Sequence, residues 1–227
     1  MLPVSCRWVA FDAVGTLIRA EPSVAEVYHR MGQQHGSQLS LVEVDLRFRE
    51  SFRLRMQSER DRTTEADESA FWRQVVADVL ADVSDQKACF VELHEWFARP
   101  SAWRCFDDVT PMLAALGKRG VQIAIASNYD SRLHPVCDGL PELSDITTRI
   151  VSSEVGWRKP HASFYESLID ACGGDPSAIV MVGDDWENDV LGAKQAGLRA
   201  ILVDRSLSDI SHTTDDCVIS SLMDLVT

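Results

Sequence analysis

The sequence has no excess of basic residues and no long apolar run. Lysine and arginine together number 22, against 35 aspartates and glutamates, which leaves a net charge of −13. Nucleic acid is therefore not an expected partner, because binding it requires a basic face that neutralises phosphates. No apolar stretch reaches the roughly 20 residues that cross a bilayer, so a membrane is not an expected partner either. A small phosphorylated substrate stays open, because a local site binds it against the overall charge.

Cysteine is sparse and unpatterned. The chain has six cysteines and no Cys-x-x-Cys pair. Residues 1–11 contain a short apolar stretch, but no small-residue cleavage site of a signal peptide follows it. We therefore expect a cytoplasmic protein with reduced thiols, in which each cysteine serves as a small buried apolar residue. The six are Cys6, Cys89, Cys105, Cys137, Cys172 and Cys217.

Four short apolar runs predict a buried sheet. With 227 residues the chain is long enough for a sizeable core, and its 45% hydrophobic and 25% charged residues are typical of a globular protein. Each run is too short for a free-standing helix and is rich in valine, isoleucine and alanine. Such near-continuous apolarity is typical of strands buried on both faces of a parallel sheet. The runs cover residues 7–13, 121–127, 179–183 and 199–203.

Helical patterns alternate with these runs. Residues 108–119 have Thr110 as a candidate N-cap, Pro111 at the first helical position and a glycine after the end. Residues 162–172 and 187–196 are two further patterns, each followed by glycine. The alternation of strands and helices predicts right-handed βαβ units in a layered α/β domain.

The segment 18–102 has a different pattern, with no convincing strand and four helical stripes. Amphipathic helices of this length are stable only when their stripes pack together, which predicts a small bundle of roughly 85 residues. We expect an α/β core of residues 1–17 and 103–227, with a helical domain of residues 18–102 inserted after the first strand. Residues 17–19 and 99–103 would be the connecting segments. The stripes are Val24, Val27, Tyr28 and Met31; Leu41, Val44, Phe48 and Phe52; Trp72, Val75, Val76, Val79, Leu80 and Val83; and Phe90, Leu93 and Phe97.

Four groups of polar residues follow, or lie near, the C-terminal ends of the predicted strands, where open α/β sheets bind ligands. Taken singly, each has an ordinary explanation: an aspartate before a glycine turn, a helix N-cap, a solvated loop lysine, or acids at a helix start. The last explanation is the weakest, because capping needs one carboxylate rather than three. Together the four groups are far more specific. They are Asp12 with Thr16, Ser127 with Asn128, Lys159, and Asp184 with Asp185 and Asp189.

The charges of these groups indicate a metal-assisted phosphate site. Asp12 is a candidate nucleophile, because carboxylates form acyl-phosphate or ester intermediates. If Asp12, Asp184 and Asp185 converge, two of the carboxylates at ~4 Å repel each other by about 4 kcal/mol at an effective dielectric of 20. Lys159 alone cannot balance three carboxylates. A hard divalent cation would balance them, and oxygen ligands with an open side for phosphate are typical of Mg²⁺.

In order along the chain, the four groups resemble the four motifs of the haloacid dehalogenase (HAD) superfamily. The resemblance covers about residues 1–17 and 103–227, and the helical insertion resembles the C1-type cap of that superfamily. It implies a Rossmann-like three-layer core with a parallel sheet and an inserted α-helical cap. It also implies a catalytic set with Asp12 as the nucleophile and Ser127 and Lys159 holding the transferred group. Thr16 and Asn128 complete that set.

The resemblance further implies a Mg²⁺ site. Its ligands would be Asp12, the backbone carbonyl of Val14, and either Asp184 or Asp185. Adjacent residues after a strand point in different directions, and Asp184 is the favoured ligand of the two. Asp189 would lie behind the direct ligands.

Val14 departs from the phosphatase pattern, in which a second aspartate at this position acts as general acid and base. A positioned acid–base group is typically worth 10²–10⁴-fold in rate, roughly 3–5 kcal/mol. Its loss slows hydrolysis of alkyl phosphates most and affects aryl or acyl phosphates, which have good leaving groups, much less. The dehalogenase branch also lacks this acid, but it is metal-free and has no comparable acidic cluster. The phosphonate-cleaving branch also lacks the second aspartate, but it uses a lysine from the cap. The one lysine of the insertion is Lys87, near the last predicted helix, so this branch is the less favoured interpretation.

The sequence therefore predicts a Mg²⁺-dependent phosphatase that acts on a small phosphorylated metabolite through an aspartyl-phosphate on Asp12. Two alternatives remain open. One is a metal-independent 2-haloacid dehalogenase, in which Asp12 attacks the carbon that bears the halide. The other is a catalytically weak binding or regulatory protein that has kept the fold and lost the acid–base residue.

Overall fold

The computed structural model describes residues 2–57, 61–206 and 218–227, and it contains two sheets. The large sheet is parallel, with strand order β5-β4-β1-β6-β7-β8, and β2 pairs with β3 in a two-stranded antiparallel ribbon. The strands are β1 Trp8–Phe11, β2 Ile18–Ala20, β3 Trp103–Cys105, β4 Gln122–Ser127, β5 Thr148–Val151, β6 Ile179–Gly183, β7 Arg199–Val203 and β8 Val218–Ile219.

Helices cover both faces of the large sheet and form the insertion. They are α1 Val24–Gln34, α2 Leu41–Gln57, α3 Glu65–Val79, α4 Gln86–Trp96, α5 Val109–Lys118, α6 Leu133–Gly139, α7 Ser152–Val155, α8 Ala162–Ala171 and α9 Gly192–Gln195. None of the helices in the described ranges combines the length and the apolar composition that a bilayer crossing requires.

The core has three layers, as the apolar runs predict. Along β1, Val9 and Phe11 pack with α5 and α6 on one face of the sheet. Ala10 points to the other face and packs with α8 and α9. Because successive side chains of a strand alternate between faces, a strand covered on both sides must be apolar at every position. This explains the four runs, each of which contains one of the strands β1, β4, β6 and β7.

Strand β1 lies at the point where the order of the strands reverses. It pairs with β4 on one side and β6 on the other, so that Phe11 lies level with Ile125 and Val182. The residues that follow the three strands therefore meet at one edge of the sheet. In open α/β sheets, the crevice at such a switch point is where ligands bind.

The insertion between β1 and β4 contains four packed helices, α1 to α4, as the four stripes predict. Local capping supports their ends. Ser23 and Glu26 form a reciprocal capping box at α1, and the side chain of Thr64 accepts the Asp67 N–H at α3. Buried residues from all four stripes form a separate hydrophobic cluster.

The prediction that residues 18–102 contain no strand is wrong for the first three residues of this segment. Ile18–Ala20 forms β2, which pairs antiparallel with β3 at the far end of the insertion. The two connecting segments are thus joined by hydrogen bonds into one ribbon. Neither three-residue strand is long enough to show a period in sequence. Strand β5 was also missed, because Thr148 and Arg149 make it half polar at the sheet edge.

Two helix starts differ from prediction. Helix α5 begins at Val109, so Asp108 rather than Thr110 occupies the N-cap position, and its side chain accepts hydrogen bonds from elsewhere in the chain. The single helix predicted over 187–196 is a π-helical turn over Trp186–Leu191 followed by the short α9.

The described cysteines have free thiols. Four of them are buried and Cys6 is partly buried, as the sequence predicts. Cys217 lies outside the described residues.

Candidate active site at the carboxyl edge of the sheet

Asp12 lies directly after the central strand and is held from three sides. Its backbone N–H donates to the Val182 carbonyl at 2.9 Å, which continues the β1–β6 pairing. Its Oδ1 accepts the Ser127 hydroxyl at 3.0 Å and the Lys159 ammonium at 2.8 Å. The residue is largely buried, at 8% exposed. The carboxylate is therefore fixed in direction, as a nucleophile requires.

The Lys159 ammonium uses all three of its donors within the protein. They reach Asp12 Oδ1 at 2.8 Å, Asp189 Oδ1 at 2.6 Å and the Ala126 carbonyl at 2.8 Å. Burial would lower the pKa of Lys159, but the charges of Asp12 and Asp189 raise it above its ordinary value. Lys159 is therefore a permanent buried cation beside Asp12.

Asn128 holds the segment that carries this lysine. Its side-chain amide donates to the Lys159 carbonyl at 3.0 Å, and its Oδ1 accepts the Lys159 N–H at 2.7 Å. Asn128 is among the catalytic residues that the sequence predicts. In the structure its polar atoms bind the backbone of Lys159.

Three carboxylates converge at this edge. Oxygens of Asp12, Asp184 and Asp189 all lie within 4.8 Å of one another. Desolvation in the cleft and the charges of Asp12 and Asp189 raise the pKa of Asp184. Burial also raises the pKa of Asp189, although Lys159 offsets part of the effect. With one lysine against three acids, the site has the oxygen donors and the uncompensated charge that fit a hard divalent cation.

The two adjacent acids after β6 point in different directions. Asp184 Oδ1 accepts the Thr16 hydroxyl at 3.2 Å and belongs to the converging group. Asp185 Oδ1 instead accepts the Asn188 N–H at 2.8 Å and caps the π-helical turn. This geometry favours Asp184 over Asp185 as a partner of Asp12. Thr16 is fully buried beneath the site and orients Asp184.

Asp189 is engaged through both of its oxygens. Oδ1 accepts from Lys159 and Oδ2 accepts the Asp185 N–H at 3.1 Å. Gly183 makes this approach possible, because a Cβ there would lie 2.1 Å from Asp189 Oδ2. The placement of Asp189 behind the direct metal ligands stays a prediction.

The loop after Asp12 closes tightly on Asp184. Gly15 has φ +95°, a region that residues with a Cβ avoid, and a Cβ would lie 2.2 Å from Asp184 Oδ2. The next residue, Thr16, then donates to Asp184. A residue larger than glycine would displace the carboxylate.

Arg205 fastens the same loop from the opposite side, and sequence analysis missed it. Its guanidinium donates to the Gly15 and Thr16 carbonyls at 3.3 and 2.7 Å and forms a two-pronged ion pair with Asp108. It also stacks over the Phe106 ring at 3.7 Å. Arg205 lies 189 and 190 residues from its loop partners, so no local motif marks it.

Two adjoining cavities open at the site. The first has a volume of about 270 Å³, and its walls include Asp12, Lys159 and Asp184. The second, of about 300 Å³, lies between the helical insertion and the core. Val14, Phe52, Trp72 and Asn128 line both cavities. Val14 is 39% exposed.

Helix α3 docks onto the core through two glutamates that sequence analysis also missed. Glu65 accepts the Ser131 N–H and hydroxyl, each at 2.9 Å, together with the Ser153 hydroxyl. Glu68 is buried, pairs with Arg158 at 2.5 Å and accepts the Thr63 hydroxyl. No period in the sequence distinguishes these acids from solvated ones on a helix surface.

The comparisons with known proteins agree with this site. A family model described as a haloacid dehalogenase-like hydrolase matches residues 6–197. The haloacid dehalogenase-like hydrolase domain-containing protein 3 of Danio rerio is 27% identical over 216 residues, covering 92% of this chain and 89% of that protein. The glyceraldehyde 3-phosphate phosphatase of Methanothermobacter thermautotrophicus is 40% identical over 112 residues, which are 47% of each chain.

Solved structures show the same fold. The HAD-hydrolase YfnB from Bacillus subtilis, bound to magnesium, has a TM-score of 0.76 at 13% identity and covers 97% of this chain and 96% of that one. The L-2-haloacid dehalogenase PA0810 has a TM-score of 0.75 at 19% identity, with 97% of both chains covered.

A parallel α/β core with an acidic cluster and a buried lysine at its carboxyl edge defines a hydrolase of the HAD type. The chain belongs to the haloacid dehalogenase-like hydrolases. Its helical insertion between β1 and β4 is consistent with a C1 cap.

Proposed function

We propose that the protein is a Mg²⁺-dependent phosphatase of small phosphorylated metabolites, with Asp12 as the nucleophile. The observation that carries this proposal is the convergence of Asp12, Asp184 and Asp189 beside Lys159. One lysine leaves this group with excess negative charge, which a bound cation and its open coordination positions would turn into a phosphate site.

The relatives support the same reading. One matching protein is a glyceraldehyde 3-phosphate phosphatase, and a protein of the same fold binds magnesium. In our proposal residues 1–17 and 103–227 form the catalytic core, and residues 18–102 form the cap. Closure of the cap would exclude bulk water from the reaction.

In the proposed reaction an oxygen of Asp12 attacks phosphorus in line with the ester bond. The new O–P bond forms as the bond to the leaving oxygen breaks, and the electron pair departs with that oxygen. Lys159 and Ser127 keep the Asp12 carboxylate aimed, and Lys159 adds positive charge beside the transferred group. Mg²⁺, held by Asp12, the Val14 carbonyl and Asp184, would neutralise phosphate charge when bound.

The second half of the reaction restores the enzyme. Water attacks the phosphorus of the Asp12 aspartyl-phosphate, breaks the acyl O–P bond, releases inorganic phosphate and leaves the Asp12 carboxylate free. Val14 can neither give nor take a proton. The departing oxygen therefore leaves as an anion and takes its proton from water.

A 2-haloacid dehalogenase is the second candidate, and the apolar Val14 position is the observation that favours it. The fold alone does not separate the two functions, since phosphatases and dehalogenases share it. The excess of carboxylates favours the phosphatase, because without a metal the repulsion between Asp184 and Asp12 has no cation to offset it. A catalytically weak binding protein would not need these charges near one another.

The test is hydrolysis of a panel of phosphomonoesters and acyl phosphates, with Mg²⁺, with a chelator, and in the D12N variant. D170N, an exposed aspartate on α8, is the matched control. We expect turnover that requires Mg²⁺, is lost in D12N and persists in D170N. Chelator-resistant release of halide from 2-haloacids, with no phosphate release, would establish the dehalogenase instead. Absence of both activities would favour the binding protein.

A further inference from the structure

We propose that the substrate is an aryl phosphate whose aromatic leaving group occupies the cavity between the helical insertion and the core. This inference rests on the proposed phosphatase function and names the class of substrate. Two independent observations lead to it: the chemistry of the cavity wall and the identity of residue 14.

The cavity wall consists almost entirely of hydrocarbon and aromatic ring carbon. Rings follow one another around it, with centroid separations of 5.2 Å for Tyr28–Phe48 and 6.0 Å for Phe52–Trp72. Phe97 and Trp103 continue the series at 5.9 Å. Edge-to-face and offset contacts at such distances are how aromatic rings attract one another, so the wall is suited to a further ring.

Within the part of the chain that the structure describes, the cavity wall has no unpaired charged side chain that could bind a second anionic or polar group of a substrate. Among the described residues that line the cavity, Arg132 is the one permanently charged group. Asp130 neutralises it through two hydrogen bonds, of 2.8 and 2.7 Å. Burial, followed by the charge of Arg132, lowers the pKa of His94 and keeps that ring neutral. A sugar or a second phosphate would exchange its hydration for a wall that is almost entirely apolar, which is costly.

The volume agrees with a ring system. A dry cavity of about 150 Å³ is known to accept benzene. At about 300 Å³, this cavity has room for one or two fused rings.

The cavity joins the reacting centre at Val14. Val14 and Asn128 line both this cavity and the one that contains Asp12 and Lys159. A phosphoryl group placed against Asp12 would therefore lead its substituent past Val14 and into the aromatic wall. The apolar side chain at position 14 continues that wall up to the site.

The missing acid agrees with the same class of substrate. A phenol has a pKa of about 10, against about 15.7 for water, so an aryloxide departs without a proton donor. In the balanced reaction Asp12 attacks phosphorus, the P–O(aryl) bond breaks, and the aryloxide takes a proton from water. A second water then attacks the phosphorus of the aspartyl-phosphate and breaks the acyl O–P bond, which frees the Asp12 carboxylate and inorganic phosphate. The proton that this water loses neutralises the hydroxide left by the first. The net change is aryl phosphate plus water to phenol plus inorganic phosphate.

Four substrates separate the contribution of the aromatic ring from that of the good leaving group. 2-Naphthyl phosphate has both the ring and the good leaving group, and acetyl phosphate has only the leaving group. 2-Naphthylmethyl phosphate has only the ring, and ethyl phosphate has neither. We expect 2-naphthyl phosphate to have a KM at least tenfold below that of acetyl phosphate. We also expect 2-naphthylmethyl phosphate to have a similarly low KM but a kcat at least 100-fold lower.

The same set distinguishes the failure of this inference from failure of the proposed function. Turnover of acetyl phosphate that depends on Asp12, with no advantage for 2-naphthyl phosphate, would overturn the inference and leave the phosphatase standing. No turnover of either 2-naphthyl phosphate or acetyl phosphate would count against the phosphatase. Binding of 2-naphthylphosphonate and methylphosphonate, whose P–C bonds do not hydrolyse, then tests the cavity without catalysis. Less than a tenfold preference for the naphthyl compound would overturn the inference.

A filled cavity provides the variant test. Val76, buried on α3, lines the cavity, and V76F would occupy part of its volume. We expect the ratio of kcat/KM for 2-naphthyl phosphate to that for acetyl phosphate to fall at least tenfold. V42F makes the same change at an exposed position of α2 and should leave the ratio unchanged. An unchanged ratio in folded V76F would contradict the placement of the ring.

Discussion

At the scale of single residues, Gly15 controls how closely the loop after Asp12 approaches Asp184. Two separate effects forbid a side chain there: a φ of +95° and a clash at 2.2 Å with the Asp184 carboxylate. The positive φ would strain the backbone and lower the free energy of unfolding. The clash would displace Asp184, a carboxylate of the proposed metal site. A comparison with another glycine separates them.

We predict that G15A loses about 1–2 kcal/mol of folding free energy from backbone strain and also binds Mg²⁺ at least tenfold more weakly. The control is G120A, which has φ +70° and nothing within 4 Å of its new Cβ. It should lose similar stability and retain Mg²⁺ affinity. Urea unfolding and Mg²⁺ titration measure the two effects. Equal Mg²⁺ affinities in both variants would show that the contact with Asp184 is unimportant.

The second prediction at this scale concerns Val14. In the proposed reaction this position is where a proton donor would assist the leaving group. V14D should raise kcat for alkyl phosphates by up to about 10²–10⁴-fold and change kcat for aryl phosphates much less. V14N is similar in size to V14D but transfers no proton, and it should give no gain. Steady-state kinetics on ethyl phosphate and 2-naphthyl phosphate provides the measurement. Equal gains in V14D and V14N would exclude acid catalysis as the cause.

At the scale of elements, Arg205 ties the segment after β7 to the loop after β1. Burial raises the pKa of Asp108, but hydrogen bonds from Arg205 and the Leu222 N–H outweigh it and hold that pKa below its ordinary value. Through these bonds Arg205 and Asp108 connect α5, the loop after Asp12 and the C-terminal residues. The planar fork of Arg205 reaches several acceptors at once, which a lysine cannot do.

R205K should therefore reduce the free energy of unfolding by about 1–3 kcal/mol and weaken Mg²⁺ binding several-fold. R199K makes the same exchange at the exposed start of β7 and should change neither quantity. Chemical denaturation with and without Mg²⁺ distinguishes the two variants. Normal Mg²⁺ affinity in R205K would confine the role of Arg205 to stability.

Helix α3 joins the helical insertion to the core, since Glu65 accepts hydrogen bonds from both Ser131 and Ser153. E65A should lower the free energy of unfolding by about 1–3 kcal/mol, because the three donors lose a charged acceptor. It should also raise KM, because the cavity wall on α3 would be less well placed. E95A, an exposed change on α4, is the control for both measurements. A stability loss with KM unchanged would show that docking of α3 does not shape the cavity.

At the scale of the whole molecule, the net charge of −13 and the cluster of three carboxylates lead us to predict that a bound cation stabilises the fold. Mg²⁺ at 100 times its Kd would add about 2.7 kcal/mol, which is a rise in Tm of about 5–10 °C for a chain of this size. D184N should melt above the wild type without Mg²⁺, because it relieves repulsion, and should show no Mg²⁺-dependent rise. Calorimetry with Mg²⁺ and with chelator measures both.

D185N is the comparison for this experiment, because Asp185 caps the π-helical turn. It should melt slightly lower and retain the full Mg²⁺-dependent rise. The reverse pattern, with the rise lost in D185N and kept in D184N, would place the metal ligand at Asp185.

The sequence by itself predicts the layered core, the helical insertion and the site residues at its edge. Strands buried on both faces must be apolar throughout, and helices must bury one stripe, so both leave periods in the chain. Asp12 and Asp184 follow such strands directly, and Ser127 is the last residue of another. Because parallel strands end at the same edge of a sheet, these three residues are expected to converge. The register of β1 with β4 and β6 brings them level.

The tertiary structure alone decides which of these residues share contacts. Asp184 and Asp185 are alike in sequence, and only the backbone direction after β6 turns one toward Asp12 and the other toward Asn188. Arg205 and Glu65 find their partners across long stretches of chain and therefore leave no local signal. The aromatic cavity also leaves no local signal. Helical stripes show which residues are buried, but not the space left between the insertion and the core.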